Sequence, residues 1–365
     1  MNFPGGVYDA NAVSAFSESV FIKIGLPAAK ARLASQVLLL ADLRGINSHG
    51  IARLAGYVRL WQKGRINTTA DSVVAHETLS TATLDGNAGL GLVIGQEAMR
   101  LAIDKAMVCG TGWVAVRNSS HFGIAASHAM LALDHDMIGI AMTNASPLVA
   151  PTFSNERMLG TNPMCFAIPA GKESPFVADL ATSAAANGKL ELASYEKRQV
   201  PAGWVQNEAG DFLTDPQALK NGGSLLPLGS DPEHGSHKGY ALAATVDILS
   251  AVLSGANYGP WVPPFVAFLE PAANPVGKGI GHFFGAMRID AFRPGFEFKA
   301  HMDNWIKTFK EARTIPGRGT RVLIPGEPEA LCTAKRLVEG IPILPSVEEG
   351  LRRLAQELDV SWFDA

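Results

Sequence analysis

Residues 41–54, ADLRGINSHGIARL, gather more polar and special-geometry side chains than any other stretch of a rather apolar chain. The run before it, residues 30–43, is rich in Ala and Leu with apolar positions at helical spacing, and Gly45 is placed to end that helix in the left-handed conformation. Asn47 and Ser48 then read as the cap of a new helix. Ser48, His49 and Arg53 accordingly fall near its first turn, where unpaired N–H groups and the helix dipole favour an anionic ligand. A carboxylate suits this place, because a guanidinium grips it from one turn away while the imidazole handles a proton. An ordinary turn with a capping serine gives the same SHG, so the rest of the chain has to decide.

Composition narrows the class. A length of 365 residues is enough for two domains and a large core. With 47% hydrophobic and 18% charged residues the chain reads as compact and globular, and a net charge of -3 makes no electrostatic case for nucleic acid. Cys109, Cys165 and Cys332 are far apart, without CxxC pairing, and read as buried reduced thiols. The opening MNFPGGVYDANAV has no basic-then-apolar leader, and no apolar run reaches bilayer length. The expectation is a cytoplasmic protein with no membrane partner.

The chain begins with helices. Asp9 or Asn11 caps a segment running to about Ile24, a second helix covers about 28–43, and a third about 49–63. Texture changes near Val73 to short β-like runs, which sets a first domain boundary. Gly89, Gly91 and Gly95 are spaced GxGxxxG, not GxGxxG, with no strongly apolar strand before them. This reads as a tight turn and close packing of a helix over about 96–109 rather than a dinucleotide fingerprint.

A strand over 113–116 delivers RNSSHFG, residues 117–123, to a loop before a helix. His121, His128 and His135 are seven apart, about 10 Å along a helix, too far to share one metal ion, so no metal site is expected. His121 in its Ser-rich loop has the best claim to chemistry. Three further strands, 137–142, 164–168 and 176–178, adjoin polar loops that carry Asn144, Ser146, Asn162 and Asp179. Such repetition argues for one composite pocket, although Asn, Ser and Pro are also what ordinary turns require. Asp179 matters there because a carboxylate near a histidine sets its tautomer or raises its basicity. His237 and Lys238 open a long apolar helix, a plausible phosphate site. The Gly- and Pro-rich residues 254–282 are placed to cover the pocket, followed by a strand over 283–289, a helix over 298–311, a strand over 321–324 and helices near 328–337 and 347–358. Helices at both ends suggest that the ends pack together.

In this order RGINSHGIARL, RNSSHFGIAASHAML, TNASP, LGTNP, ADLATS, HKGYALA, GHFF and IPGEPEA resemble the malate/L-lactate dehydrogenase family, which includes ureidoglycolate and sulfolactate dehydrogenases, diketogulonate reductase and piperideine/pyrroline-carboxylate reductases. The resemblance spans nearly the whole chain. It implies an α/β (α+β) protein with a largely antiparallel sheet in a non-Rossmann nicotinamide-cofactor domain, beside a helical domain built from both chain ends. The corresponding divisions are 1–72, 73–292 and 293–365. It implies NAD or NADP as cofactor and a homodimer with the site near the interface. Residue by residue, it puts Ser48 and Arg53 at the substrate and His49 and His121 as acid/base candidates, with Asp179 beside them. Asn144, Ser146, Asp179, Leu180, Ala181, His237, Lys238, Pro325, Gly326 and Glu327, together with His121, fall at the cofactor. Two departures are the extended loop 230–236, SDPEHGS, and the charges of Arg288 and Asp290 after GHFF.

The expected reaction is reversible hydride transfer between nicotinamide C4 and C2 of a small 2-hydroxy or 2-oxo acid, with histidine handling the hydroxyl proton and arginine the carboxylate. Reduction of a cyclic 2-imino acid such as piperideine- or pyrroline-2-carboxylate is the alternative. A metal-dependent hydrolase or aldolase is disfavoured by the histidine spacing, and composition alone leaves a non-catalytic binding protein open.

Overall fold

Asp9 accepts hydrogen bonds from the N–H groups of Asn11 and Ala12, so the helix after the short strand β1 (Val7–Tyr8) begins at its first capable cap: α1 (Ala10–Lys23). The coordinates are a computed structural model describing residues 5–317 and 321–363. Helix α2 (Ala28–Leu43) follows, and Gly45 takes φ +81 just beyond it. The next helix does not start where the SHG motif suggested. Residues Asn47–His49 and Ile51–Arg53 form two successive 3-10 turns, without a side-chain cap, and α3 (Leu54–Gln62) begins only afterwards. Asp42 is the physical reason: its Oδ2 accepts the N–H of Ile51 at 2.7 Å, and a Cβ at Gly50 would overlap its carboxylate. The chain is folded back onto α2 instead of entering an α-helix.

The chain continues through β2 (Val73–Glu77), β3 (Thr81–Asp85), α4 (Gly91–Cys109), β4 (Thr111–Ser119), α5 (Ala126–Ala129), β5 (Met137–Thr143), β6 (Met164–Ile168), β7 (Phe176–Leu180) and α6 (Asn187–Tyr195). A small sheet, β8 (Val205–Gln206), β9 (Phe212–Leu213) and β10 (Ser224–Leu225), precedes α7 (Ser236–Asp247). Last come β11 (Ile280–Arg288), α8 (Gly295–Lys310), α9 (Glu327–Glu339), β12 (Ile341–Pro342) and α10 (Pro345–Leu358). Residues 321–324 are not a strand. The strands after 113 and before 283 run longer than the sequence pattern marked, so Arg117 and His282 lie within β4 and β11.

The large sheet has the order β2-β3-β4-β11-β5-β6-β7, and among the described residues β3–β4 is its only parallel pairing. This is a mixed, largely antiparallel α/β arrangement. Its register aligns Ser119 with Ile280, His282 with Thr143, Met142 with Met164, and Met164 with Leu180. The polar loops beyond β4, β5 and β7 and before β6 and β11 therefore open on a single edge. Helix α4 lies close against this sheet because Gly91 and Gly95 leave it room: a Cβ at Gly95 would come 2.6 Å from the His128 ring, and one at Gly91 would overlap the Ser120 carbonyl. The GxGxxxG spacing thus serves packing, as read from the sequence, although the helix starts five residues earlier.

A second core joins both ends of the chain. Val13, Phe21, Leu38 and Tyr57 pack with Ile341, Leu351 and Leu354, and β1 pairs with β12. Burying each such side chain contributes about 2 kcal/mol. The C-terminal segment does not lie there as one body: α8 sits on the β7 edge, where Trp305 meets Phe176 at 5.9 Å and Asp303 accepts three N–H bonds from Gly171, Lys172 and Glu173. No described helix is long and apolar enough to cross a membrane.

Candidate active site

The Asn47–Arg53 turns present their side chains to the open sheet edge. There His49, Arg53, His121, Ser146, Thr161, Asn187 and Phe265 line one small pocket. The rings of His49 and His121 face each other with centroids 5.7 Å apart. Ser48 Oγ lies 2.9 Å from His49 Nδ1, and among the described residues no hydrogen bond reaches His49 Nε2. His121 Nδ1 lies 2.7 Å from Tyr57 Oη and accepts the N–H of Gly123 at 3.3 Å. An amide can only donate, so in the neutral ring Nε2 carries the proton.

Arg53 is held before any substrate arrives. Its Nε donates to the Ser48 carbonyl at 2.5 Å and its Nη2 to Glu191 at 3.1 Å, while Asn187 donates to the other Glu191 oxygen at 2.9 Å. Nη1 makes no hydrogen bond among the described residues. Asp42, which shapes this turn, is 2% exposed, and burial pushes its carboxyl up to about 7 against the pull of the Ile51 N–H and Arg336. Arg336 of α9 reinforces the turn by donating to the Asp42 carbonyl and to Asn47 Oδ1.

Both pocket histidines keep an exposed edge, yet the protein around them displaces most of their water. Burial first, and the Arg53 charge second, lower His49 to about 3. His121 is lowered well below the usual imidazole range by burial, then by His49, Arg53 and His282. The cause is desolvation and positive neighbours. A helix dipole is not among the causes, since neither ring lies at an α-helix start: α3 begins at Leu54 and α5 at Ala126.

Other expected residues scatter around this centre. Ser146 Oγ accepts the Phe265 N–H at 2.9 Å, which brings the 254–279 excursion over the pocket and sets the Phe265 ring 4.5 Å from His121. Asn144 donates to Asp247 and to the Asn257 carbonyl and accepts from Gly281, so it ties strands and loops together. Asp179 does not touch a histidine. Its Oδ2 accepts the N–H of Ala126 at 2.9 Å, and the carboxyl, raised to about 6 chiefly by burial, faces a second cleft with Leu180, Pro325, Gly326 and Arg44. Ala181 follows at the sheet edge, half-buried. Glu327 turns back to pair with Arg321 and the Ile324 N–H. His237 and Lys238 are exposed on the first turn of α7 and line neither the pocket nor this cleft.

His128 is buried, donating from Nε2 to the Phe122 carbonyl and accepting the Gln96 side-chain amide at Nδ1, and His135 is exposed. Of the cysteines only Cys165 is fully buried. Among the described residues no three His, Cys, Asp or Glu side chains converge as a metal site. Sequence reasoning missed Tyr57, Phe265, Glu191 and Arg44. Tyr57 had a signal, four residues beyond Arg53 on the same helical face; Glu191 is 138 residues from its partner and had none.

Known proteins resemble the chain in sequence and in fold. The family model described as malate/L-lactate dehydrogenase matches residues 8–352. A malate dehydrogenase of Pyrococcus abyssi is 42% identical over 98% of both chains, and an L-sulfolactate dehydrogenase of Methanocaldococcus jannaschii is 37% identical over 94% of both. The crystal structure of malate dehydrogenase from Entamoeba histolytica superposes with a TM-score of 0.91 at 34% identity, covering 98% of this chain and 99% of that one. Sequence and fold agree: this chain belongs to the malate/L-lactate dehydrogenase family, as an oxidoreductase acting on 2-hydroxy acids.

Proposed function

We propose that the chain interconverts a small 2-hydroxy acid of the malate, lactate, sulfolactate or ureidoglycolate type and its 2-oxo acid, using NAD or NADP. The observation that carries this reading is the convergence of His49, His121 and the pre-oriented Arg53 on one pocket at the open sheet edge. Arg53 holds the substrate carboxylate through Nη1. His49 Nε2 takes the hydroxyl proton in oxidation and returns it in reduction, while His121 Nε2–H hydrogen-bonds the oxygen on C2. When bound, the nicotinamide supplies or accepts the hydride at C4.

The chain's residues fit such a cofactor. Gly326, at φ +91, lets the 325–327 loop close onto Val177, and the adjoining cleft has apolar walls with Asp179 and Arg44 among them. On this reading the largely antiparallel sheet forms the non-Rossmann cofactor domain within 73–292, and helices from 1–72 with the C-terminal chain beyond α8 form its companion. A homodimer is part of the same proposal. Tyr240, Leu242, Ile248, Val252 and Leu253 leave an exposed apolar face along α7 and its continuation, which a second copy would cover.

The test is loss of reduced-nicotinamide absorbance with NADH or NADPH on a panel of pyruvate, oxaloacetate, glyoxylate derivatives and piperideine-2-carboxylate. Turnover of a 2-oxo acid is expected. Turnover of the cyclic imine alone would transfer the assignment to imino-acid reduction, and no turnover of any member would overturn the reading.

A further inference from the structure

Arg44 is 6% exposed, and its Nε has no hydrogen-bond partner among the described residues. Buried charges in folded proteins are ordinarily paired, and a guanidinium has five donors to satisfy. Arg44 nevertheless lines the cleft between the residues 44–46 turn, the end of β7 and the start of α9. Asp179 occupies another wall. It is near enough for the Arg44 charge to favour its carboxylate, yet the two form no ion pair. A cation and a carboxylate held apart across a cleft leave space for a ligand that accepts from one and donates to the other. Ile46, Leu180, Leu323 and Pro325 supply apolar surface beside them. Helix α9 adds a thirteen-residue dipole whose N-cap, Gly326, supplies no side-chain hydrogen bond.

We propose that Arg44 is a ligand-binding residue that takes a phosphate group of a nucleotide seated in this cleft, with Asp179 accepting from its ribose hydroxyls. A phosphorylated ribose carries both required functions, an anionic acceptor for the guanidinium and hydroxyl donors for the carboxylate. The apolar side chains beside them suit the attached base. The inference rests on the nicotinamide-cofactor reading for the identity of the nucleotide, whereas the unpartnered Arg44 stands on geometry alone. Glu329, also on the cleft wall, opposes anion binding and makes the arginine the group that decides it.

The experiment titrates NADH and NADPH into the full-length protein by fluorescence, for the parent, Arg44→Met and Arg44→Lys, with thermal melting of each variant to establish that it is folded. Arg44→Met keeps the stem and removes the charge; it should weaken binding roughly tenfold or more, with Arg44→Lys in between because charge remains without the planar fork. Equal loss for both nucleotides supports contact with the diphosphate, and loss confined to NADPH supports contact with the ribose 2′-phosphate. Unchanged affinity for both in Arg44→Met overturns the inference. Should Arg44→Met fail to fold, Arg44→Lys decides by the same criterion. A parent that binds neither nucleotide would defeat the cofactor reading instead. Inorganic pyrophosphate then decides the Arg44 inference: stabilisation of the parent that Arg44→Lys diminishes supports it, and no stabilisation of the parent overturns it.

Discussion

His49 and His121 lie with ring centroids 5.7 Å apart and planes inclined by 22°. At that separation two imidazolium ions would repel strongly, with Arg53 on the same pocket adding to the repulsion. The pair therefore carries one proton charge at most, and in the proposed mechanism only one ring changes charge. Both are neutral in the resting protein at neutral pH, the state needed to accept a proton from a hydroxy acid. A carboxylate on Arg53 offsets the guanidinium charge and allows one imidazolium to form.

The ring that changes charge is expected to be His49, whose Nε2 has no hydrogen bond among the described residues and whose neighbouring 3-10 turn carries Arg53. His49→Asn should lower turnover by roughly two to four powers of ten, the usual worth of a positioned acid/base. His121→Asn should act mainly on the Michaelis constant for the acid. Turnover against pH for both variants checks this, and near-parental rates with an unchanged acidic limb in both would remove histidine catalysis.

Tyr57 is fully buried, and its hydroxyl is the close partner of His121 Nδ1. Tyr57→Phe leaves the weaker Gly123 contact to orient that ring. The variant should lose about 1 kcal/mol of stability and show a several-fold higher Michaelis constant with turnover near the parent. Steady-state kinetics beside a denaturant melt separate the two effects; a turnover loss as large as that of His49→Asn would make His121 the acid/base.

The elements that build the site were legible where local chemistry governs them. Asp9 caps α1, Gly45 terminates α2 in the left-handed conformation, and the strand ends fall close to the polar loops that the sequence marks. The composite pocket follows from an alternation of strand and loop that antiparallel register turns into one edge. What escaped depends on contacts distant in sequence. Asp42 and Arg336 convert an apparent helix start into 3-10 turns, and Asn144 donates to Asp247 and Asn257 and accepts from Gly281. Asp179 belongs to a cleft whose other wall lies about 145 residues further along the chain, at Pro325 and Gly326, so no local pattern separates it from the histidine pocket.

Arg53→Lys should raise the Michaelis constant for the acid by about tenfold to a hundredfold, because a lysine keeps the charge but not the planar fork that Ser48 and Glu191 orient. Nucleotide affinity should stay at the parental value. A change confined to the nucleotide constant would place Arg53 at the cofactor.

The last prediction concerns stability against pH and turns on two buried groups with opposite shifts. Asp42 has a folded value of about 7 against 3.8 for its free form, so between these limits the native state holds a proton that the unfolded chain has released. Its contribution to stability is complete below about pH 4 and is lost as pH rises towards 7. His282 is 0% exposed and bonded to Thr143 and Ser119 through its two ring nitrogens; burial, and next the nearby His128, lower it from 6.5 to about 3. Here the unfolded chain binds the extra proton, so the contribution is complete above about pH 6.5 and is lost on acidification. Each group tilts the curve by about 1.4 kcal/mol per pH unit inside its window, with opposite signs. Relative to the parent, Asp42→Asn should therefore gain stability steadily from pH 4 to 7, and His282→Gln should gain it from pH 6.5 down to 4, each on top of a pH-independent loss from the altered side chain. Urea melts at half-unit pH intervals measure both differences. If the two difference curves ran parallel, or if either stayed flat across the window, the corresponding group would not titrate as its burial requires.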